Sequence, residues 1–334
     1  MAHRLGKLFP NTRAGALLTR TEERMREALR AVSGNSHAKN DQAAEADDAT
    51  KASAEQDQAK TDEPKHGDVY GRRRLARGTQ SQDSHEVHRR RLEARMQHDM
   101  EMARTIQQRF LPSVPEMHNG VRMHASYCPA YDIGGDFYDL IEIDRYRFQV
   151  IIGDVSGKGV AAALIMSRII AEFRRAAHCG LEPDQVLDDV NRFLFDHDLP
   201  DGFVTASCVE VDLKNRSLKV ANAGHVPTVA RRKLTGATWM FGEPSGAPLG
   251  LLETEQYTCE TFYFEPGDII VLVTDGVTEA IEPNADPSAG VLTGIIADSD
   301  HNITDMSTQI LGAVKASEQP RATDDVAMFA MQLA

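Results

Sequence analysis

The sequence predicts an α+β domain over residues 118–334, in which blocks of strands are separated by inserted helices. Val121, Met123 and Tyr127 belong to a run in which every second residue is apolar, the period of a half-buried strand. Further strand-like runs follow one another across short turns such as residues 212–216, which favours antiparallel pairing. The helical segments do not alternate with single strands, so the pattern is not a simple βαβ array.

The first 84 residues are predicted to be mostly disordered, with one short helix at about residues 15–32. Between Ser33 and Asp68 the chain has no Val, Ile, Leu, Met, Phe, Tyr or Trp. Such a segment cannot bury enough apolar surface to offset the entropy that it loses on ordering. The Arg-rich face of the short helix could contact an acidic partner or a membrane surface, although a solvated face is the more common meaning.

A helix is predicted over residues 85–111, and Pro112 and Pro115 end it. Its apolar residues follow alternating steps of four and three, as in a heptad repeat, with one polar interruption at Asp99. The seam consists of Leu92, Met96, Asp99, Ala103, Ile106 and Phe110. Two interpretations stay open: an amphipathic helix packed on its own domain, and a coiled coil through which two chains dimerise.

The elements of the domain that follows are assigned from apolar alternation and from helical spacing. The strands are predicted at 121–127, 137–143, 146–152, 204–212, 217–223, 257–263, 268–273 and 325–333. The helices are predicted at 161–176, 184–195 and 302–316. In the first of these helices Leu164, Ile165, Ile169 and Phe173 lie on one face.

Composition excludes several classes of function. The net charge of −13 and the pI near 5.4 argue against a nucleic-acid-binding protein, which would present a basic face. The four cysteines are far apart and form no CxxC pair, so they indicate neither a zinc site nor a disulfide framework. No apolar run approaches the ~20 residues that span a bilayer, and the N-terminus lacks the apolar stretch of a signal peptide. We therefore expect a cytoplasmic protein with reduced thiols.

Four aspartates stand where predicted strands meet loops: Asp136, Asp154, Asp275 and Asp324. Three of them neighbour glycine, and three neighbour an apolar run. A single Asp-Gly pair is more often a turn than a ligand, because both residues favour turns. Four carboxylates in this repeated setting are better explained by a shared site for a hard cation.

Carboxylate ligands without nearby His or Cys favour Mg²⁺ or Mn²⁺ over zinc. Two such cations ~3.5–4 Å apart can activate a bridging water and clamp a phosphoryl group. The glycines beside the aspartates would let the backbone approach the ions closely, so that a backbone carbonyl could also be a ligand.

Three motif look-alikes carry less weight. Residues 153–159 resemble a P-loop, but the spacing is short and Gly159 replaces the Ser or Thr that would hold Mg²⁺. Residues 134–137 resemble the Gly-Gly-Asp-Glu-Phe signature of diguanylate cyclases, but Phe137 takes the Glu position. His225, in Asn222-Ala-Gly-His, invites a catalytic role. A loop histidine that supports the site is at least as consistent, because no Ser or Cys motif offers it a nucleophile.

The ordered set of motifs resembles the SpoIIE/RsbU-like branch of the PPM metal-dependent serine/threonine phosphatases of bacteria. The resemblance covers about residues 95–334. The motifs are Ala103–Gln107, Leu111-Pro, Pro129–Asp139, Gly153–Ala163, Asn222–His225, Pro248–Gly250, Thr274–Glu279 and Asp324-Asp325. The resemblance implies an α-β-β-α sandwich of two antiparallel sheets, with helices outside and two Mn²⁺ or Mg²⁺ ions at one end; a third ion stays open.

The resemblance also implies roles for individual residues. Asp154 would bridge both metals, and the backbone carbonyl of Val155 would add a ligand to one of them. Asp136 would be the acidic ligand of the first strand pair. Asp275 and Asp324 would be ligands of the second metal.

The implied reaction is direct attack of a metal-activated water on phosphoserine or phosphothreonine, without a phosphoenzyme. Lys158 would lie near the phosphate, or else face solvent from its Gly-rich turn. No arginine is assigned to the phosphate-gripping role known in the wider superfamily.

In this branch the substrates are typically anti-sigma-factor antagonists with a STAS fold, and the helix before the domain takes part in dimerisation and switching. Residues 85–111 occupy that place here. No folded sensor domain is evident, so we expect a separate activator protein that docks on residues 1–32. The alternative to an enzyme is a pseudophosphatase scaffold that binds a phosphorylated partner. The presence of Asp at all four ligand positions disfavours it.

Overall fold

The structure is a computed structural model, and it describes most of the chain from residue 71 onward, with side chains from residue 85. The described segments are 71–197, 202–281, 290–299, 302–317 and 324–334. The helix predicted at 15–32 and the disorder predicted for 33–68 lie outside them. The chain divides into two compact units, residues 1–94 and 95–334.

The described residues form six helices and eleven strands, numbered here in chain order. The helices are α1 Gly71–Gln108, α2 Val160–His178, α3 Pro183–Asp196, α4 Asp275–Ile281, α5 Val291–Asp298 and α6 Ile303–Ser317. The strands are β1 Met117–His118, β2 Val121–Cys128, β3 Phe137–Glu142, β4 Arg147–Val155, β5 Val204–Asp212, β6 Ser217–Ala223, β7 Thr228–Arg231, β8 Thr238–Phe241, β9 Glu260–Tyr263, β10 Ile269–Val273 and β11 Val326–Gln332.

The strands form two antiparallel sheets. The first has the order β1-β2-β11-β10-β7-β8, and the second has the order β3-β4-β5-β6-β9. In the second sheet β4 pairs with β3 and β5 in registers that place Gly153 opposite Phe137 and Asp154 opposite Thr205. The start of β3, the end of β4 and the start of β5 therefore lie side by side at one end of that sheet.

The sheets pack face to face, and helices cover both outer faces. Tyr138 of β3 contacts Phe329 of β11 between the sheets, with 6.1 Å between ring centroids. Phe137, the neighbouring residue, points to the opposite face and meets Phe173 of α2. On the other side of the molecule, Met306 of α6 belongs to a buried cluster with alternate residues of β10 and β11. The predicted α+β class and the α-β-β-α sandwich are confirmed.

Sequence signals explain the two helices over the second sheet. α2 buries a continuous stripe of small and apolar residues, whereas its other face carries charged side chains. α3 begins with Pro183 in its first turn, preceded by a capping box between Glu182 and Gln185. Together these helices cover the face of the second sheet opposite the inter-sheet core.

Several element boundaries differ from the predictions. The first helix starts at Gly71 rather than 85, because residues 71–84 have no apolar pattern that would mark a helix. It ends at Gln108, before Pro112. The strand predicted from 257 begins at Glu260. The strands β7 and β8 (four residues each) and the helices α4 and α5 (seven and eight residues) were not predicted, because about two hydrophobic periods are too few for a recognisable pattern.

The apolar seam of α1 is exposed in the single chain. Leu92 is 49%, Met96 67% and Ile106 53% exposed. Exposed apolar side chains at this spacing are what an unpaired coiled-coil face would show. Dimerisation itself stays a prediction.

In the part of the chain that the structure describes, no helix is long and apolar enough to cross a membrane, and the four cysteines are unpaired.

Candidate metal site

The fold brings the four predicted aspartates to neighbouring strand ends. Asp136 immediately precedes β3, and Asp154 is the penultimate residue of β4. Their chain neighbours Phe137 and Gly153 are directly opposite each other in the β3–β4 ladder. Asp275 follows β10 and begins α4, and Asp324 lies two residues before β11. β10 and β11 are themselves neighbours in the first sheet.

The side chains of these aspartates interact electrostatically. Burial, followed by the charge of Asp154, raises the pKa of Asp136 well above its usual value. Burial and the charges of Asp275 and Asp324 do the same to the pKa of Asp154. Burial, with Asp324 and Glu279, raises the pKa of Asp275 to about 6. The carboxyl groups of Asp136, Asp154 and Asp275 are therefore poorly solvated and lie close to other negative charges, Asp324 among them.

Asp136 is fixed from the opposite sheet. The Thr274 hydroxyl donates a hydrogen bond to Asp136 Oδ2 at 2.6 Å, and it accepts one from the backbone N–H of Ala327 at 2.9 Å. Thr274 is fully buried and Asp136 is 2% exposed. This contact ties the carboxylate before β3 to the end of β10.

Asp154 and Val155 lie against the Gly134-Gly135 segment. The backbone N–H of Val155 donates to the carbonyl of Gly135 at 3.4 Å. A Cβ added to Gly135 would lie only 2.7 Å from the Val155 carbonyl oxygen. Glycine at this position is what lets the loop that carries Asp136 approach that carbonyl.

Asp325 has a role that the sequence did not reveal. It is 3% exposed, and its carboxylate accepts hydrogen bonds from the backbone N–H groups of Ala130 (2.8 Å) and Gly135 (2.7 Å). A side chain on Gly134 would collide with it, since a Cβ there would lie 2.2 Å from Asp325 Oδ2. Asp325 therefore fixes the loop before β3, beside the predicted ligand Asp324. The adjacent acidic pair in the sequence was the one available signal.

Gln107 was also missed as a contributor to the site. Its side chain is buried, donates from Nε2 to the Gly134 carbonyl at 2.6 Å, and accepts from the Gly134 N–H at 3.3 Å. The last turn of α1 thus holds the same loop that Asp325 holds. Gln107 belongs to the motif Ala103–Gln107, but nothing in the sequence indicates its partner 27 residues away.

Lys158 forms an ion pair with Asp324, with 2.9 Å between Lys158 Nζ and Asp324 Oδ1. It lies on a turn between Gly157 and Gly159, which adopt φ values of 102° and 72°. The side chain is 39% exposed. The ammonium group thus lies at the acidic site while the residue remains exposed, and contact of Lys158 with a phosphate stays a prediction.

The donor chemistry of these residues fits hard divalent cations. Carboxylate and carbonyl oxygens are the ligands that Mg²⁺ and Mn²⁺ prefer, and cations would offset the mutual repulsion that raises the pKa values of the aspartates. Among the described residues, no group of three or more His, Cys, Asp or Glu side chains has the arrangement of a formed metal site. Instead, the Thr274 hydroxyl donates a hydrogen bond to Asp136, and the Lys158 ammonium group forms an ion pair with Asp324.

Comparison with solved structures identifies the class of fold. The SiaA-PP2C domain of Pseudomonas aeruginosa matches with a TM-score of 0.62 at 17% identity, over 72% of this chain and 98% of that one. The RsbU and RsbW domains of Rv1364c from Mycobacterium tuberculosis match with a TM-score of 0.54 at 25% identity, over 64% of this chain and 59% of that one. Two sheets between helical layers, with acidic strand ends at one edge, define a PP2C-type domain.

The chain belongs to the SpoIIE (Stage II sporulation protein E) family, whose model matches residues 144–334. It is 27% identical over 237 residues to the phosphoserine phosphatase RsbP and 29% identical over 195 residues to the phosphoserine phosphatase RsbU, both of Bacillus subtilis strain 168. These matches cover 69% and 58% of this chain, and they span 56% and 58% of the respective relatives. The predicted SpoIIE/RsbU-like branch of the PPM phosphatases is confirmed.

Proposed function

We propose that this protein is a Mg²⁺- or Mn²⁺-dependent protein serine/threonine phosphatase. One observation carries the proposal: in a PP2C-type fold, burial and neighbouring carboxylates, that of Asp324 among them, raise the pKa values of Asp136, Asp154 and Asp275 at adjoining strand ends. Buried carboxylates with raised pKa values are costly unless a cation or a proton compensates them. Similarity to two phosphoserine phosphatases supports the choice of phosphoprotein as substrate.

Asp136, Asp154, Asp275 and Asp324, with the backbone carbonyl of Val155, would hold two ions, and a third ion is left open. When bound, such ions supply an activated water and neutralise charge on the phosphoryl oxygens. Hydrolysis would then proceed without a phosphoenzyme.

Other residues of the chain would orient the site and its substrate. Thr274 fixes the carboxylate of Asp136, while Asp325 and Gln107 fix the loop that leads to it. Lys158, the cation paired with Asp324, would contact a phosphoryl oxygen of the substrate, because a lysine at an acidic site is suited to an incoming anion.

The test is phosphate release by the purified full chain from a phosphoserine peptide and from p-nitrophenyl phosphate. Turnover should rise with added Mn²⁺ or Mg²⁺ and disappear on chelation. A protein that binds the phosphopeptide but shows no turnover at any metal concentration would instead be the pseudophosphatase scaffold.

For the physiological substrate we propose a phosphorylated STAS-type regulator, an anti-sigma-factor antagonist, in the cytoplasm. Similarity to the phosphoserine phosphatase RsbU supports phosphoserine as the group that is hydrolysed, and the STAS fold of the substrate is what the family resemblance implies. Assaying the phosphorylated STAS proteins of the same organism against an unrelated phosphoprotein would test it. Equal rates on both would contradict a dedicated substrate.

For regulation we propose a homodimer through the exposed seam in residues 85–111, and a separate activator that docks on residues 1–32. The exposure of Leu92, Met96 and Ile106 supports the dimer. Met96→Glu should lower the dimer fraction measured by light scattering, whereas Arg95→Glu, beside the seam, should lower it less. If deleting residues 1–80 left activation and partner binding unchanged, the activator proposal would be wrong.

A further inference from the structure

The Asn222-Ala-Gly-His225 loop is held in one conformation by its own side chains. Asn222 accepts a hydrogen bond from the His225 N–H at 2.7 Å, and it donates to the carbonyls of His225 (3.1 Å) and Gly242 (2.8 Å). Gly224 adopts φ 67° and packs on Pro248, where a Cβ would lie 2.7 Å from the proline ring. Only glycine adopts that conformation so close to a neighbour without strain. The loop therefore delivers the His225 ring to a fixed place.

The ring of His225 meets β5 beside the predicted metal ligands. His225 is 4% exposed, and its Nδ1 lies 2.9 Å from Thr205 Oγ1. Thr205 is directly opposite Asp154 in the β4–β5 ladder, and Val204 is opposite Val155. Directly opposed residues of an antiparallel pair project their side chains to the same face. The imidazole thus lies one side chain away from the proposed bridging carboxylate.

His225 is a neutral ring between the two sheets. Burial lowers its pKa to about 4, and the backbone of Val273, at the end of β10, opposes part of that shift. A neutral ring accepts at Nδ1 from the Thr205 hydroxyl when its proton is on Nε2. Val273 is the backbone group that interacts with the ring, although Nε2 forms no hydrogen bond of ordinary length and angle among the described residues. The well-formed polar contact of the ring is the one with Thr205.

We propose that His225 is a positioning residue for the metal centre, which through Thr205 fixes the end of the β4–β5 ladder that carries Asp154 and Val155. This inference rests on the proposed function, because the groups that it positions are the proposed metal ligands. His225 is too deeply buried to touch a protein substrate. Its effect would therefore appear in metal binding.

The experiment compares His225→Ala, Thr205→Val and the double variant in the full chain. The readouts are the Mn²⁺ concentration for half-maximal p-nitrophenyl phosphate hydrolysis, and the Mn²⁺-induced rise in Tm, which needs no turnover. Each single variant should raise the half-maximal Mn²⁺ concentration about 10-fold or more, as losses of groups that orient metal ligands do. The double variant should be no worse than the worse single variant, because both remove the same contact.

Three further variants distinguish the positioning of metal ligands from a merely structural effect. His225→Asn keeps an acceptor near the position of Nδ1, whereas His225→Gln places its amide near Nε2; Asn should restore metal affinity better than Gln. Ser207→Ala is the matched control, because Ser207 is buried two residues along the same strand and its hydroxyl has no partner among the described residues. It should leave the Mn²⁺ dependence unchanged.

Wild-type Mn²⁺ dependence in His225→Ala would overturn the inference, as would equal effects of Ser207→Ala and Thr205→Val. These results leave an active wild-type enzyme, so the proposed function would survive them. A wild-type protein without Mn²⁺-dependent turnover or Tm shift would instead overturn the proposed function, and this inference with it.

Discussion

Thr274 and Asp136 join the two sheets at the edge where the acidic residues meet. The Thr274 hydroxyl, immediately after β10, donates to the carboxylate of Asp136, immediately before β3, with 2.6 Å between oxygens. Both residues are buried, so water cannot replace this bond. The position of one proposed metal ligand therefore depends on a residue 138 positions away in sequence.

Thr274→Val should destabilise the protein, because it leaves the Asp136 carboxylate and the Ala327 N–H without their partner. We expect the free energy of unfolding to fall by about 1–3 kcal/mol in urea titrations. Thr308→Val, on the exposed face of α6, is the control and should change it by less than about 0.5 kcal/mol. Equal effects of the two substitutions would contradict the importance of the inter-sheet bond.

Gln107→Ala should also destabilise the protein, because both backbone groups of buried Gly134 lose a hydrogen-bond partner. The expected loss is about 1–3 kcal/mol in the free energy of unfolding. Gln108→Ala, the adjacent and exposed position, should have almost no effect. A stability of Gln107→Ala within error of Gln108→Ala would show that α1 does not hold the loop.

Gly276→Ala should be among the most damaging substitutions of a small residue. A Cβ at Gly276 would lie 1.8 Å from the backbone carbonyl oxygen of Asp325, a contact that no rotamer change relieves. We expect a loss of about 3 kcal/mol or failure to fold. Gly294→Ala in α5, where a Cβ meets nothing within 4 Å, should be neutral or stabilising by up to about 1 kcal/mol. Thermal unfolding of the two variants distinguishes these outcomes. Similar Tm values for the two would contradict the prediction that only Gly276 is too crowded for a side chain.

Because His225 is buried, the stability of the protein should depend on pH. Its pKa falls from 6.5 to about 4 on folding, so the unfolded state binds more protons between these values. The neutral ring therefore makes its full contribution to the free energy of unfolding above about pH 6.5. That free energy falls by up to roughly 3 kcal/mol as the pH is lowered toward 4. Urea unfolding of wild type and His225→Asn from pH 7 to 4.5 measures it: the wild type should lose more stability. Parallel curves would mean that His225 is not buried in its neutral form.

The sequence predicted those parts of the fold that local pattern determines. The strands at 204–212 and 217–223 were placed at their observed bounds, because a turn with Asp and Asn separates two regular runs. Asp275 was expected in a loop, but it begins α4. A carboxylate in the first turn of a helix interacts favourably with the positive end of the helix dipole. The four-residue strands β7 and β8 are too short for a periodic signal.

The candidate site was predictable only where a residue type itself indicates chemistry. The four aspartates are candidate hard-cation ligands by residue type alone. Gln107 and Asp325 act through backbone groups 27 and 190 residues away, and no local pattern encodes such partners. The pairing of Lys158 with Asp324 likewise required the folded chain.

The most direct test of the central claim is Mn²⁺-dependent phosphate release by Asp154→Asn, measured beside Asp132→Asn. Asp132 lies in the same loop as Asp136, is exposed, and is not a proposed ligand. Asp154→Asn should abolish turnover of the phosphoserine peptide and keep a cooperative unfolding transition, while Asp132→Asn should retain wild-type turnover. Full activity of folded Asp154→Asn would contradict a metal-dependent phosphatase centred on this carboxylate.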